Sequence, residues 1–216
     1  TIGLRKNGAE IPIEVSYSDM TLDGERRFVG FIRDITERKR QERVLRDNQE
    51  QFRAAREIQQ RLFPSASPHV PGFDIAGASY PAEATGGDYF DYLPMLNNQL
   101  GLLVGDVTGH GVGPAMLMAE TRAYLRLLAT HRENPGEILT FANVALASDV
   151  GSEHYVTLLL ARLDPQTRTF SYASAGHPPG YVLDAQGEIK FTLTRCGIPL
   201  GFQADTQYPA SADFLL

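Results

Sequence analysis

At 216 residues, the chain is long enough for one or two domains with a hydrophobic core. Hydrophobic residues at 43% and charged residues at 21% exclude a disordered chain, and no apolar run approaches the ~20 residues of a membrane-spanning helix. The net charge of −6 argues against bare nucleic acid or anionic membrane as a partner, and the single cysteine, Cys196, excludes an internal disulfide or a CxxC metal site.

With one cysteine and no visible secretion leader, a reducing, cytoplasmic compartment is the expectation. The sequence starts at Thr1 without a methionine and stops at ADFLL, and both ends read as cut.

Residues 1–35 read as β-structure. Ile11, Ile13, Val15 and Tyr17 alternate with polar residues or proline, the period of a half-buried strand. Asp23-Gly24 marks a turn, and FVGFIRDI (28–35) gives the next strand. Two or three strands fold poorly alone, so this stretch is expected to end a larger domain. The whole segment, and DITERKR (Asp34–Arg40) above all, resembles the C-terminal part of a PAS sensor domain and its exit into a signalling helix.

Residues 36–63 contain no Pro or Gly and are rich in Arg, Gln, Glu and Leu, which predicts a helix to about Leu62 with Thr36 as its cap. Leu45, Asn48, Phe52, Ala55, Gln59 and Leu62 follow a 3–4 spacing and share one seam. That seam predicts either a connector packed on its own domain or, with PAS sensors as the analogy, a parallel homodimer in which Asn48 sets register. Pro64, Pro68 and Pro71 end the helix.

The remainder, 64–216, reads as a second domain. Strands are predicted over 73–80, 88–94 and 99–107, with an Asn97-Asn98 turn between the last two. Leu117, Thr121, Tyr124 and Leu128 form an amphipathic helix face. Asn134-Pro135-Gly136-Glu137 caps a second helix running to about Ala147. Two hairpins follow, over 155–164 with 169–176 and over 180–184 with 188–193. Strands, then two helices, then strands predict an α+β fold with antiparallel sheets and a helix pair on one face.

Asp88 in GGDYF and Asp106 in GDVTGHG lie at opposite ends of one predicted hairpin. If that hairpin forms, the two carboxylates are neighbours and repel. A hard divalent cation removes the repulsion, and glycines beside both residues let backbone approach closely. Free N–H groups at the start of the next helix favour a phosphate. Against this stands the plainer reading: Asp beside Gly is most often a turn, and His110 is as readily a first-turn helix residue as a catalytic one. GGDYF also invites comparison with the GGDEF signature of nucleotide cyclases, but Tyr89 and Phe90 replace its Glu-Phe and no cyclase continues into GDVTGHG.

GGDYFDYLP, LGLLVGDVTGHGVGPAMLMA and ASAGHPPGYVL together resemble the SpoIIE/RsbU branch of the metal-dependent PPM protein phosphatases, and 54–82 resembles the switch helix and entry segment before that domain. The resemblance implies a PPM-like antiparallel β-sandwich with flanking helices. It also implies two divalent cations, Mn²⁺ or Mg²⁺, and in-line attack of water on phosphorus without a phosphoenzyme. Asp106 matches the metal-bridging aspartate, Val107 offers its main-chain carbonyl, and Asp88 matches the aspartate beside the metals. His177, in AGHPP, is expected to order a loop near the site. Asp91 is set aside because strand alternation turns it away from Asp88.

The implied substrate is a phosphorylated STAS-domain anti-anti-sigma protein, under PAS control. Family members carry further metal-binding aspartates, one in a TDG motif, which the 216 residues lack. The expectation is therefore that this stretch alone binds metal poorly and has little activity. The alternative is an inactive phosphatase-fold docking module.

Overall fold

The computed structural model describes residues 1–80, 85–149 and 154–216, with the side chain of Leu22 left aside. Contacts divide the chain into two units, Thr1–Arg53 and Ala54–Leu216.

In the first unit, β1 (Ile2–Leu4), β2 (Glu10–Leu22) and β3 (Glu25–Asp34) form an antiparallel sheet in the order β1-β2-β3. Asp23 (φ 52°) and Gly24 (φ 79°) make the tight turn between β2 and β3, as the Asp-Gly pair predicts. The half-buried face expected of β2 holds at Ile11 and Ile13 but not beyond: Tyr17 is 80% exposed, and Phe28 and Ile32 on β3 are open as well.

Helix α1 (Thr36–Gln60) begins where β3 ends. Its cap differs from expectation. Thr36 is already helical, and its N–H and hydroxyl both donate to Asp34 Oδ1, at 2.9 and 2.6 Å. The Asp34 side chain therefore serves the helix start, and these bonds with that from Arg5 hold its pKa down at about 2.

The second unit is built on an antiparallel sheet ordered β10-β7-β6-β5-β4. Its strands are β4 (Tyr89–Pro94), β5 (Leu100–Val107), β6 (Val156–Asp164), β7 (Thr169–Ala175) and β10 (Phe214–Leu215). Asn97 and Asn98, both at positive φ, carry the turn between β4 and β5. Helices α2 (Val112–Ala129) and α3 (Pro135–Asp149) cover one face. Leu103, Leu158 and Leu160 from the sheet meet Met118, Leu125, Ile138 and Leu146 from the helices in the main core. Asn134 caps α3 as predicted, accepting from the N–H groups of Gly136 and Glu137 at 2.8 and 3.2 Å.

On the other face the hairpin β8 (Gly180–Leu183) with β9 (Ile189–Leu193) packs Val182 and Leu193 against Leu159, Ala161, Phe170 and Tyr172. The α+β architecture with antiparallel sheets and a helix pair is thus the observed one. The strand expected over 73–80 does not form. Its backbone is irregular after Phe73, and Gly77 lies so close to the Phe90 and Tyr92 side chains that a Cβ there would come within 2.7–2.8 Å of them. The entry segment expected over 54–82 ends in Pro81 and Ala82, which lie outside the described residues. No helix among the described residues is long and apolar enough to cross a membrane.

Candidate metal centre

The pairing of β4 with β5 brings the two aspartates together. Its register runs from Pro94 opposite Leu100 to Tyr89 opposite Gly105. One step further, the Val107 N–H donates to the Gly87 carbonyl at 3.3 Å. Asp88 therefore stands opposite Asp106 in a non-hydrogen-bonded pair, the rung at which cross-strand side chains come closest. Both residues are exposed on the sheet face away from α2 and α3.

That juxtaposition is electrostatically uncompensated. Loss of surrounding water and, second, the charge of Asp88 push the Asp106 pKa up, while a hydrogen bond from the Val107 N–H opposes the shift. No cationic side chain among the described residues offsets the repulsion at Asp106. Glycine is required at 87, since a Cβ there would sit 2.3 Å from the Val107 carbonyl oxygen. Val107 itself is buried. Two carboxylates and a nearby main-chain carbonyl form an all-oxygen set, which fits a hard divalent cation and not a soft one. Among the described residues no third His, Cys, Asp or Glu side chain completes a metal-holding group with them.

The row continues across the sheet. Thr157 on β6 is the partner of Asp106, and its hydroxyl lies 3.4 Å from the Asp106 carbonyl oxygen. The same hydroxyl is 3.1 Å from Nδ1 of His177. Burial lowers the His177 pKa, against opposing contributions from the Thr157 main chain and from the charge of Asp88. His177 is thus brought to the carboxylate pair. His110 lies exposed in the loop joining β5 to α2.

Sequence reasoning missed two participants, Thr157 and Gln59, and the ion pair that Asp91 makes. Thr157 gave no motif, and only its register opposite Asp106 identifies it. Gln59 was placed on the α1 seam. Instead it is buried, its Nε2 donating to the Gly86 carbonyl at 2.6 Å and its Oε1 accepting from the Gly86 N–H at 3.2 Å. Asp91 was rightly placed on the face opposite Asp88, where it is wholly buried. There Arg126 donates to both of its oxygens, at 2.7 and 2.6 Å, and the Tyr89 hydroxyl donates at 2.6 Å. Arg122 and Arg126, one turn apart on α2, after a GGDxxD pattern were the available signal.

A sequence model of the family described as "Stage II sporulation protein E (SpoIIE)" matches residues 97–213. The chain is 27% identical over 154 residues to the phosphoserine phosphatase RsbU of Bacillus subtilis (strain 168), covering 71% of this chain and 46% of that protein. It is 28% identical over 189 residues to Protein IcfG of Synechocystis sp., covering 74% of this chain and 30% of that protein. The chain thus spans less than half the length of these curated relatives.

Among solved structures, the RsbU and RsbW domains of Rv1364c from Mycobacterium tuberculosis align with TM-score 0.54 and 31% identity, covering 63% of this chain and 38% of that one. The SiaA-PP2C domain of Pseudomonas aeruginosa aligns with TM-score 0.64 over 80% of this chain and 69% of that one. At 20% identity that second likeness speaks for the fold alone.

Proposed function

The chain belongs to the SpoIIE family of PP2C-type phosphatase domains, and from that membership we propose that its second unit serves a metal-dependent phosphatase acting on phosphoserine or phosphothreonine in a protein. The observation that carries this reading is the Asp88–Asp106 pair, set side by side on neighbouring strands so that the charge of Asp88 raises the Asp106 pKa.

Asp88, Asp106 and the Val107 carbonyl would hold the divalent cations, Mn²⁺ or Mg²⁺. Such ions, when bound, lower the pKa of water and offset the charge of a phosphate. The protein's own residues do the placing. The β4–β5 ladder sets the spacing of the carboxylates, and Gly87 admits the Val107 carbonyl at close range.

The substrate in this proposal is a phosphorylated STAS-domain regulator in the cytoplasm. The likeness to a phosphoserine phosphatase named RsbU supports it. Control by a PAS sensor is supported by the run of β3 into α1. A homodimer through α1 is supported by Leu45 and Phe52, which stay exposed on the helix with Asn48 between them.

Full-length protein, incubated with a phosphoserine-bearing STAS-domain protein and Mn²⁺, is expected to release phosphate, and Asp106→Asn to release none. Equal release by the variant, or full release in EDTA, overturns the reading. The lack of a third acidic ligand among the described residues favours one other reading, an inactive docking module. It predicts phosphoprotein binding without turnover.

A further inference from the structure

His177 is fixed more firmly than a loop residue needs to be. Gly176 before it is buried at φ +69°, and a Cβ there would press against Pro199 at 3.0 Å. The Gly176 N–H donates to the Cys196 carbonyl at 2.9 Å. Pro178 and Pro179 follow, each with its φ locked by its ring. The ring is then engaged from below by Thr157, at 3.1 Å from Nδ1. A left-handed turn, a proline pair and a hydroxyl all converge on one half-buried imidazole beside two carboxylates.

We propose that Thr157 is a positioning residue whose hydroxyl holds the His177 ring with Nδ1 occupied, leaving Nε2 to donate a hydrogen bond to a phosphoryl oxygen of the substrate. The Thr157 hydroxyl has a single proton, with Nδ1 at 3.1 Å and the Asp106 carbonyl at 3.4 Å. We assign that proton to the shorter contact, at Nδ1. A neutral imidazole that accepts at Nδ1 carries its own proton on Nε2, on the far edge of the ring. A neutral donor suits this place. It offers a hydrogen bond to an anionic phosphate oxygen without competing with cations for the Asp88 and Asp106 carboxylates. Thr157 also borders Asp106 in the ladder, so one β6 side chain ties the phosphate contact to the metal-holding strand.

The proposal rests on the phosphatase reading for its ligand but not for its geometry, and the test separates the two. Thr157→Val keeps the branched shape and removes the hydroxyl, whereas Thr157→Ser keeps the hydroxyl. In the full-length protein, nitrogen-15 spectra of the His177 ring are expected to show one tautomer with the proton on Nε2. Thr157→Ser retains it, and Thr157→Val gives a mixture. An unchanged ring signal in Thr157→Val, or a proton on Nδ1 in the wild type, overturns the positioning role whether or not the protein turns over substrate.

In Mn²⁺-dependent phosphate release, Thr157→Val and His177→Ala are each expected to lose about 10- to 100-fold in kcat/KM, the worth of a hydrogen bond to a charged group. Thr157→Ser is expected to stay within about 2-fold, and His177→Gln, which keeps a side-chain donor, to recover part of the loss. Loss in Thr157→Ser equal to that in Thr157→Val overturns the proposal. No release by wild type, with the tautomer as expected, overturns the phosphatase reading and with it the phosphate contact.

Discussion

Gln59 grips Gly86 by both main-chain polar atoms, so the last turn of α1 is tied to the residue two places before Asp88. Few side chains copy this contact, because only an amide offers a donor and an acceptor in one plane. Gln59→Ala is expected to leave the substrate KM unchanged and to raise the Mn²⁺ concentration needed for half-maximal activity about 10-fold or more. Misplacement of a catalytic group by ~1 Å costs on that order or more. A Mn²⁺ titration of phosphate release by the full-length protein checks it, and an unshifted midpoint speaks against control through this helix.

Arg126 and Asp91 join α2 to β4 on the sheet face opposite the Asp88–Asp106 pair. Breaking a buried pair leaves its charges under-compensated, here with Arg122 still 3.5 Å from Asp91. Asp91→Leu or Arg126→Met alone is expected to cost about 2–4 kcal/mol in urea unfolding, toward the lower end because the Arg126 side chain is 39% exposed. The double variant is expected to be more stable than the sum of the two losses predicts, since it removes both members of the pair and leaves only Arg122 without Asp91.

Asp106 is expected to weaken the metal-free protein as pH rises. Its folded pKa is raised, so its contribution is fully present below the unfolded value near 3.9 and is lost as pH climbs through the folded one. In EDTA at pH 7, Asp106→Asn is expected to unfold at a higher temperature than wild type. The gain is no more than about 1 kcal/mol, because both carboxylates remain open to water. Added Mn²⁺ is expected to raise the wild-type melting temperature and not that of the variant, which thermal scans at two pH values with and without the ion would show.

Asp34 is expected to behave in the opposite sense. Its pKa is lowered to about 2, chiefly by the Thr36 hydroxyl and then by the Thr36 N–H and Arg5. Stability from this contact is present above the unfolded carboxyl value near 3.9 and is lost as pH falls toward 2. Carbon-13 titration of the Asp34 carboxyl should give a midpoint well below the ordinary carboxyl value near 3.9, and Thr36→Val should move it upward.

Much of this was legible in the chain. The Asp-Gly and Asn-Asn turns, the Asn134 cap and the strand alternation that set Asp88 and Asp91 on opposite faces are local, and local rules describe them. Other features depend on contacts between distant residues. Gln59 fits a helical seam as well as any polar residue, and only Gly86, brought in by the fold, shows why it is buried. Residues 73–80 have strand-like composition, but hydrogen-bonded partners decide a strand, and Gly77 lies close against the Phe90 and Tyr92 side chains instead. Thr157 became visible only once β5 and β6 were in register.

The two aspartates ride on a single hairpin closed by left-handed asparagines, and this bears on the order of events as the chain folds. Hairpins form within about 1–10 μs, before distant strands or helices dock. A folding nucleus built on this hairpin would carry the acidic clash with nothing yet packed behind it to hold the ribbon shut. Divalent salt in a refolding mixture should then quicken the first phase itself, acting as a template for the nascent ribbon and not merely as a reward to the finished protein.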